Sequence, residues 1–286
     1  MAPPSPTVAS WELALRLRQR REELGMDVPA ITALLGFSRN YWSAVENERK
    51  ILAVDKLKLV LNGFEFDEEE QRELLEVREA AKLRGWWARY TALFGEDTLR
   101  FYGLEHGAQS IRTYDSLLIP GLLQTEDYAR ALMTSEITTI RQVEVDQRIE
   151  VRMRRQERIT GDDPLHLTAI VSQAALMQQT GGLTVLRDQL AHLVRVVEEH
   201  SHVDLRVIPF TATGCGAFGA STFNLIDFAS TRLPTLVWQE IVTTGGIIDD
   251  ESQVRDLNLT YAEALGRTLS AQDSVDLLNQ RIREIT

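Results

Sequence analysis

Along the first sixty residues, apolar side chains recur at the three- and four-residue spacing of helices, and small or polar residues interrupt them at short intervals. Leu13, Leu17 and Leu24 share one side of a segment running from Trp11, and Gly25 is placed to end it. Asp27 is positioned to cap a second helix with Pro29 in its first turn, where a missing amide costs nothing. That helix carries Ile31, Leu34 and Leu35 up to Gly36. Ser38 caps a third, whose inner side is Tyr41, Trp42 and Val45, and a fourth, led by Asp55, holds Leu57, Leu59, Val60 and Leu61. After Gly63 the run DEEEQRELLEVREAAKLRGWWARY is helical in period and heavily charged.

The pattern changes beyond Gly161. Apolar, β-branched runs at Leu165 to Val171, Val203 to Pro209, Thr222 to Phe228 and Thr235 to Trp238 predict strands, with helical stretches near 174 to 199 and 250 to 285 between and after them. Upstream, PGLLQTEDYARALM and VEVDQRIEVRMRRQERI predict further helices. In the first, Thr125 is the cap, and Leu122, Leu123, Tyr128 and Leu132 face inward, as a packing staple or as the lining of a groove.

Length adds that 286 residues are more than one ordinary core needs, so two domains are expected. With 44% hydrophobic and 26% charged residues the chain is globular rather than disordered or fibrous. No apolar run approaches the roughly 20 residues that cross a bilayer, and MAPPSPTVAS lacks the blocks of a secretory signal. A cytoplasmic protein is expected, and the single Cys215 excludes a disulfide framework and a thiolate zinc site. The net charge of −11 argues against affinity for phosphates until its distribution is read: residues 1 to 62 hold nine Lys/Arg against seven Asp/Glu, so the acidic excess lies in the rest.

That distribution gives weight to the segment DVPAITALLGFSRNYWSAVENERK. Leu35, Gly36, Phe37, Ser38, Trp42, Ser43, Val45 and Glu46 follow a Leu-Gly, apolar, Ser turn and an apolar, Ser, any, apolar, Glu helix. In this the segment resembles the helix-turn-helix of the lambda-repressor-like, or xenobiotic-response-element, regulators. The resemblance implies that Arg39, Asn40 and Ser43 face base edges, where arginine pairs with guanine and asparagine with adenine. It also implies that Ser38, Tyr41, Asn47, Arg49 and Lys50 hold phosphates. Four positions depart from the pattern: Val28 stands where glutamine is usual, Ala44 where a basic residue is common, Glu48 where glycine is common, and Arg20 where leucine is normal. These departures lower the affinity expected of one monomer and raise the need for a dimer on two half-sites.

The Trp86–Trp87 pair, Tyr-Gly-Leu-Glu, PGLLQTEDYARAL, RMRRQER and LRVIPF followed by FNLIDF are similar to the long C-terminal domain of actinobacterial WhiJ-like regulators. That resemblance implies a small protein partner encoded by an adjacent gene. Other features of this half each have a bland reading and a sharper one. The Gly-x-Gly-x-x-Gly of 214 to 219 follows a strand but leads into another strand-like run, so a loop is favoured over a pyrophosphate cradle, and Cys215 within it is a turn residue or a sensing thiol. His192, His200 and His202 lack a completing carboxylate or cysteine pattern and are read as solvated or capping rather than metal-binding. Arg152, Arg155 and Arg158 share a helix side that is an ion-paired surface or an anion receiver.

Together these readings give a mainly α chain with an α+β C-terminal part. A disordered leader covers 1–10, a five-helix lambda-repressor-like helix-turn-helix DNA-binding domain covers 11–65, a helical connector covers 66–85, and a C-terminal α+β sensing and dimerisation domain covers 86–286. The expected function is that of a homodimeric, sequence-specific transcription regulator on double-stranded DNA, with no catalytic residues, cofactor, metal or membrane contact. The alternatives are an antitoxin-like protein-binding module with weak DNA affinity, or an enzyme whose C-terminal domain is catalytic.

Overall fold

The first helix, α1 (Pro6–Glu23), begins inside the stretch expected to be a disordered leader. Ser5 Oγ accepts from the Val8 amide at 3.4 Å and Pro6 takes the first helical position, where no donor is required. Ala9 and Trp11 are buried as a result. In the computed structural model, which describes residues 2–136, 140–241 and 244–285, the chain divides into two units, Pro3–Arg89 and Tyr90–Thr286 with Met1–Ala2.

The first unit contains α1, α2 (Val28–Leu35), α3 (Arg39–Glu46), α4 (Val54–Gly63) and α5 (Glu68–Ala81). Its core gathers Leu13, Leu17, Ile31, Trp42, Leu57 and Phe64, with Trp42 against Phe64 edge to face at 5.6 Å. The helix expected to be a connector is part of this core. Leu74 of α5 is fully buried there, Arg16 Nη1 donates to Glu73 Oε2 at 3.1 Å, and buried Arg78 donates through Nε to Leu52 O at 2.7 Å. Asp67 and Glu70 close a reciprocal cap at the start of α5.

The second unit holds α6 (Glu96–Gly107), α7 (Glu126–Ser135), α8 (Val145–Arg155), α9 (Glu157–Thr160), α10 (Leu183–Glu199), α11 (Glu251–Leu265) and α12 (Ala271–Ile285). Its sheet comprises β1 (Ser110–Asp115), β2 (His166–Ser172), β3 (Val203–Ile208), β4 (Phe223–Asp227), β5 (Leu236–Ile241) and β6 (Thr244–Ile248), in the order β3-β2-β1-β4-β5-β6. β1, β2 and β3 run parallel because helices carry the chain back between them; β4, β5 and β6 are antiparallel and need only short connections. β1 joins the two halves, pairing Asp115 with Val171 on one side and Tyr114 with Phe223 on the other.

Two clamps fix α11 to the sheet. Arg112 donates to Asp227 from Nε and Nη2 at 3.2 and 3.1 Å while its Nη1 reaches Asn258 at 2.9 Å, and the Tyr261 hydroxyl donates to Thr168 O at 2.9 Å. The outer edge of β3 is covered at Val207: Leu269 N donates to Val207 O at 2.9 Å and Val207 N to Ser274 Oγ at 3.1 Å.

Candidate nucleic-acid interface

α2 and α3 are joined by three residues whose chemistry sets the turn. Gly36 ends α2 at φ 67°, a left-handed conformation that a side chain disfavours, and Phe37 drops into the core. Ser38 then caps α3, its Oγ accepting from Tyr41 N at 3.2 Å, which leaves the hydroxyl proton available to an outside acceptor. With Trp42 and Val45 held in the core at 0% and 3% exposure, Arg39, Asn40 and Ser43 are turned outward and exposed. The Trp42 indole nitrogen finds no acceptor among the described residues.

The residues expected at phosphates differ in how free they are. Asn47 donates to Ser43 O at 2.7 Å and to Ser43 Oγ at 3.3 Å, so these two side chains act together. Arg49 and Lys50 are exposed. Tyr41 is half-buried, and its ring is covered by two ammonium groups, Lys50 Nζ at 4.3 Å and Lys56 Nζ at 4.7 Å. Lys56, on α4, is the residue that sequence reasoning missed, since nothing local ties it to Tyr41. Among the described residues, none of Arg39, Arg49, Lys50 and Lys56 has a carboxylate within the 4.0 Å of an ion pair.

Three of the four departures from the motif now have a physical account. Arg20 replaces an apolar contact with a cap, donating to Phe64 O at 2.9 Å and Glu65 O at 3.1 Å just past the end of α4. Val28 packs at the edge of the core. Glu48 sits at φ 60°, the left-handed region that glycine would enter without strain. Ala44 is half-buried, and nothing in the structure explains its place there.

In the second unit the arginine run is not a surface. Arg155 donates from Nε and Nη2 to Glu105 at 2.7 and 2.8 Å, both side chains being buried, and Arg158 donates to Ala108 O at 2.8 Å. Burial dominates the titration of Arg158 and lowers its pKa, against the nearby Glu105 charge. The run is drawn inward because Gln156 staples it to the PGLLQ segment, donating to Gly121 O at 3.1 Å and Gln124 O at 2.6 Å. Thr125 caps α7 by accepting from Tyr128 N at 3.3 Å.

The glycine-rich segment passes through a single 3₁₀ turn, Gly216–Gly219, into β4, and Cys215 is half-buried beside the cluster of Tyr114, Phe223 and Tyr261. His202 and His200 have ring centroids 5.3 Å apart, and the third ring near them is His166, 6.4 Å from His202. Among the described residues no group of three or more His, Cys, Asp or Glu is placed to hold a metal ion, and no helix is long and apolar enough to cross a membrane.

Two family models match the chain. One, described as a helix-turn-helix domain, covers residues 12–74; the other, described as a domain of unknown function (DUF5753), covers 68–280. No curated protein and no solved structure matches it.

Proposed function

The chain belongs to the DUF5753 family and carries a helix-turn-helix domain ahead of it; from this we propose that it is a sequence-specific, DNA-binding transcription regulator of the lambda-repressor-like kind that works in the cytoplasm. One observation carries the reading: α3 buries Trp42 and Val45 while Arg39, Asn40 and Ser43 stay exposed on the same two turns. Arg39 and Asn40 read bases, with Ser43 held beside them by Asn47. Ser38, Tyr41, Arg49, Lys50 and Lys56 bind the backbone phosphates, since their cations are not consumed by carboxylates of this unit. A homodimer brings two such helices to two half-sites, and the C-terminal domain, WhiJ-like by resemblance, sets their competence in answer to a ligand or a small partner protein.

The test is footprinting of the full chain on the DNA upstream of its own gene, with and without the product of the neighbouring gene. Protection that disappears in Arg39→Ala and Asn40→Ala, each weakening specific binding by about 1–3 kcal/mol, supports the reading. No protection under either condition sinks it.

A further inference from the structure

The two motifs stapled together by Gln156 meet at a cavity of about 100 Å³ inside the second unit. A single water needs only about 10–15 Å³ on such a measure, so the space takes a molecule of several heavy atoms. Its lining is polar and contains Arg152, Asp115 and Glu240, while Phe101 and Trp238, stacked at 4.7 Å and 10°, close one side.

The charges in this lining are unusual in what they leave unpaired. Arg155 is neutralised by Glu105. Arg152 is not: its Nη1 donates to a neutral amide oxygen, Gln124 Oε1, at 2.9 Å. Asp115, only 6% exposed, accepts from the Thr113 hydroxyl at 2.7 Å and the Thr222 hydroxyl at 3.4 Å and meets no cation. Glu240, which also lines the cavity, is exposed. Among the described residues none of these three is within 4.0 Å of an opposite charge, although all line the same small space. A guanidinium and a carboxylate left apart in one cavity are costly unless something between them meets both.

Arg152 is moreover held in place. Gln124 is itself buried and anchored by donating to Ile119 O at 2.7 Å, and Gly121 leaves the room in which the guanidinium sits, because a Cβ there would be 2.6 Å from Arg152 Nη1. A dicarboxylate or a phosphate would set its second negative charge against Asp115 and Glu240. A molecule with one carboxylate and one ammonium group satisfies all three residues. We propose that this cavity is a binding site for a small zwitterion of the α-amino-acid class, with its carboxylate on Arg152, its ammonium group toward Asp115 and Glu240, and its side chain against Phe101 and Trp238. Burial, helped by Glu240, pushes Asp115 up to about 7, against Thr113, Thr222 and Arg152, which is the state expected of a carboxyl waiting for a cation.

The proposal gives a chemical class to the ligand in the regulator reading, and only its regulatory consequence rests on that reading, because binding is measured without DNA. Isothermal titration of the full chain with each of the twenty standard amino acids is expected to find at least one that binds saturably. Its matched analogues, the carboxylic acid without the amine and the amine without the carboxylate, bind about tenfold more weakly or worse. Arg152→Gln and Asp115→Asn weaken binding by a similar factor. So does Gly121→Ala, which displaces the guanidinium without removing a buried charge, and whose unchanged melting would separate lost binding from lost fold. No saturable binding by any of the twenty overturns the proposal, as does an amine-free analogue that binds as well as its parent, or binding unchanged in Arg152→Gln. Amino-acid binding by a chain that fails to footprint supports this site and sinks the DNA reading alone.

Discussion

Arg21 Nε donates to Glu46 Oε1 at 2.6 Å, joining the last turn of α1 to the last residue of α3, and the same guanidinium donates through Nη1 to Met26 O at 3.1 Å in the turn before α2. One side chain therefore fixes the outward helix relative to both elements that precede it. The two side chains are only 15% and 13% exposed, so the pair is little screened by solvent. Glu46→Ala is expected to destabilise the chain by roughly 1.5–3 kcal/mol in urea unfolding, and Glu46→Gln by less, because the amide oxygen still accepts. Specific DNA binding should fall in the same order. An alanine variant as stable as the parent would show that the apolar core alone sets the placement of α3.

Lys50, in the loop after α3, and Lys56, on α4, converge on the Tyr41 ring. If they hold phosphates, Lys50→Ala and Lys56→Ala should each reduce the slope of log K against log salt by about 1 and weaken binding to all sequences alike. Fluorescence anisotropy across a salt series on specific and scrambled duplexes reads both. A change confined to the specific duplex would give these lysines a different task.

The Glu105–Arg155 pair makes a stability prediction for the second unit. Arg155 also lies 4.6 Å from the Tyr102 ring centroid, so its charge is met from two directions. Glu105→Gln leaves that charge buried without a counterion and should cost about 3–5 kcal/mol. Replacing both residues by apolar ones of similar size should recover most of the loss. Chemical denaturation of the single and double variants provides the comparison.

Asp115 predicts a pH dependence. Its folded pKa, raised from 3.8 to about 7, means that the native state keeps a proton that the unfolded chain has already released. Stability therefore falls as pH rises through that window, by at most about 1.4 kcal/mol per pH unit, and levels off above it. Asp115→Asn should flatten the curve and exceed the parent in stability at pH 8. Comparing the two proteins from pH 4 to 8 cancels the opposite contribution of His106, whose pKa is lowered first by its own burial and then by Arg158.

The N-terminal unit was legible because its determinants are local. Helical periods, the Asp27 and Ser38 caps and the turn at Gly36 all lie within a few residues of what they control. The extent of α1 was not, since a proline-rich start was read as disorder although Pro6 at a first helical position favours a helix. In the second unit, β2 to β5 were readable from their apolar runs. β1 was missed because SIRTYD mixes charge with few apolar positions, although its place between two strands buries it. β6 was missed because Gly245 and Gly246 carry no strand signal. The arginine run was misread as a surface for a related reason: Glu105, its main counterion, is fifty residues away in the chain, and only the fold brings them together. The cavity is subject to the same limit, drawing its lining from Thr98 to Glu240.

The hydrogen bonds that Leu269 and Ser274 make to Val207 have a bearing on how the protein stays apart from itself. A strand with unused amides and carbonyls is a template on which a second chain can grow. Leu269 and the first turn of α12 occupy those groups at Val207 of β3, so their release, by proteolytic nicking near 269 or by a helix-breaking change there, would uncover an adhesive stretch of that margin. The first symptom would be self-association, ahead of any loss of the fold.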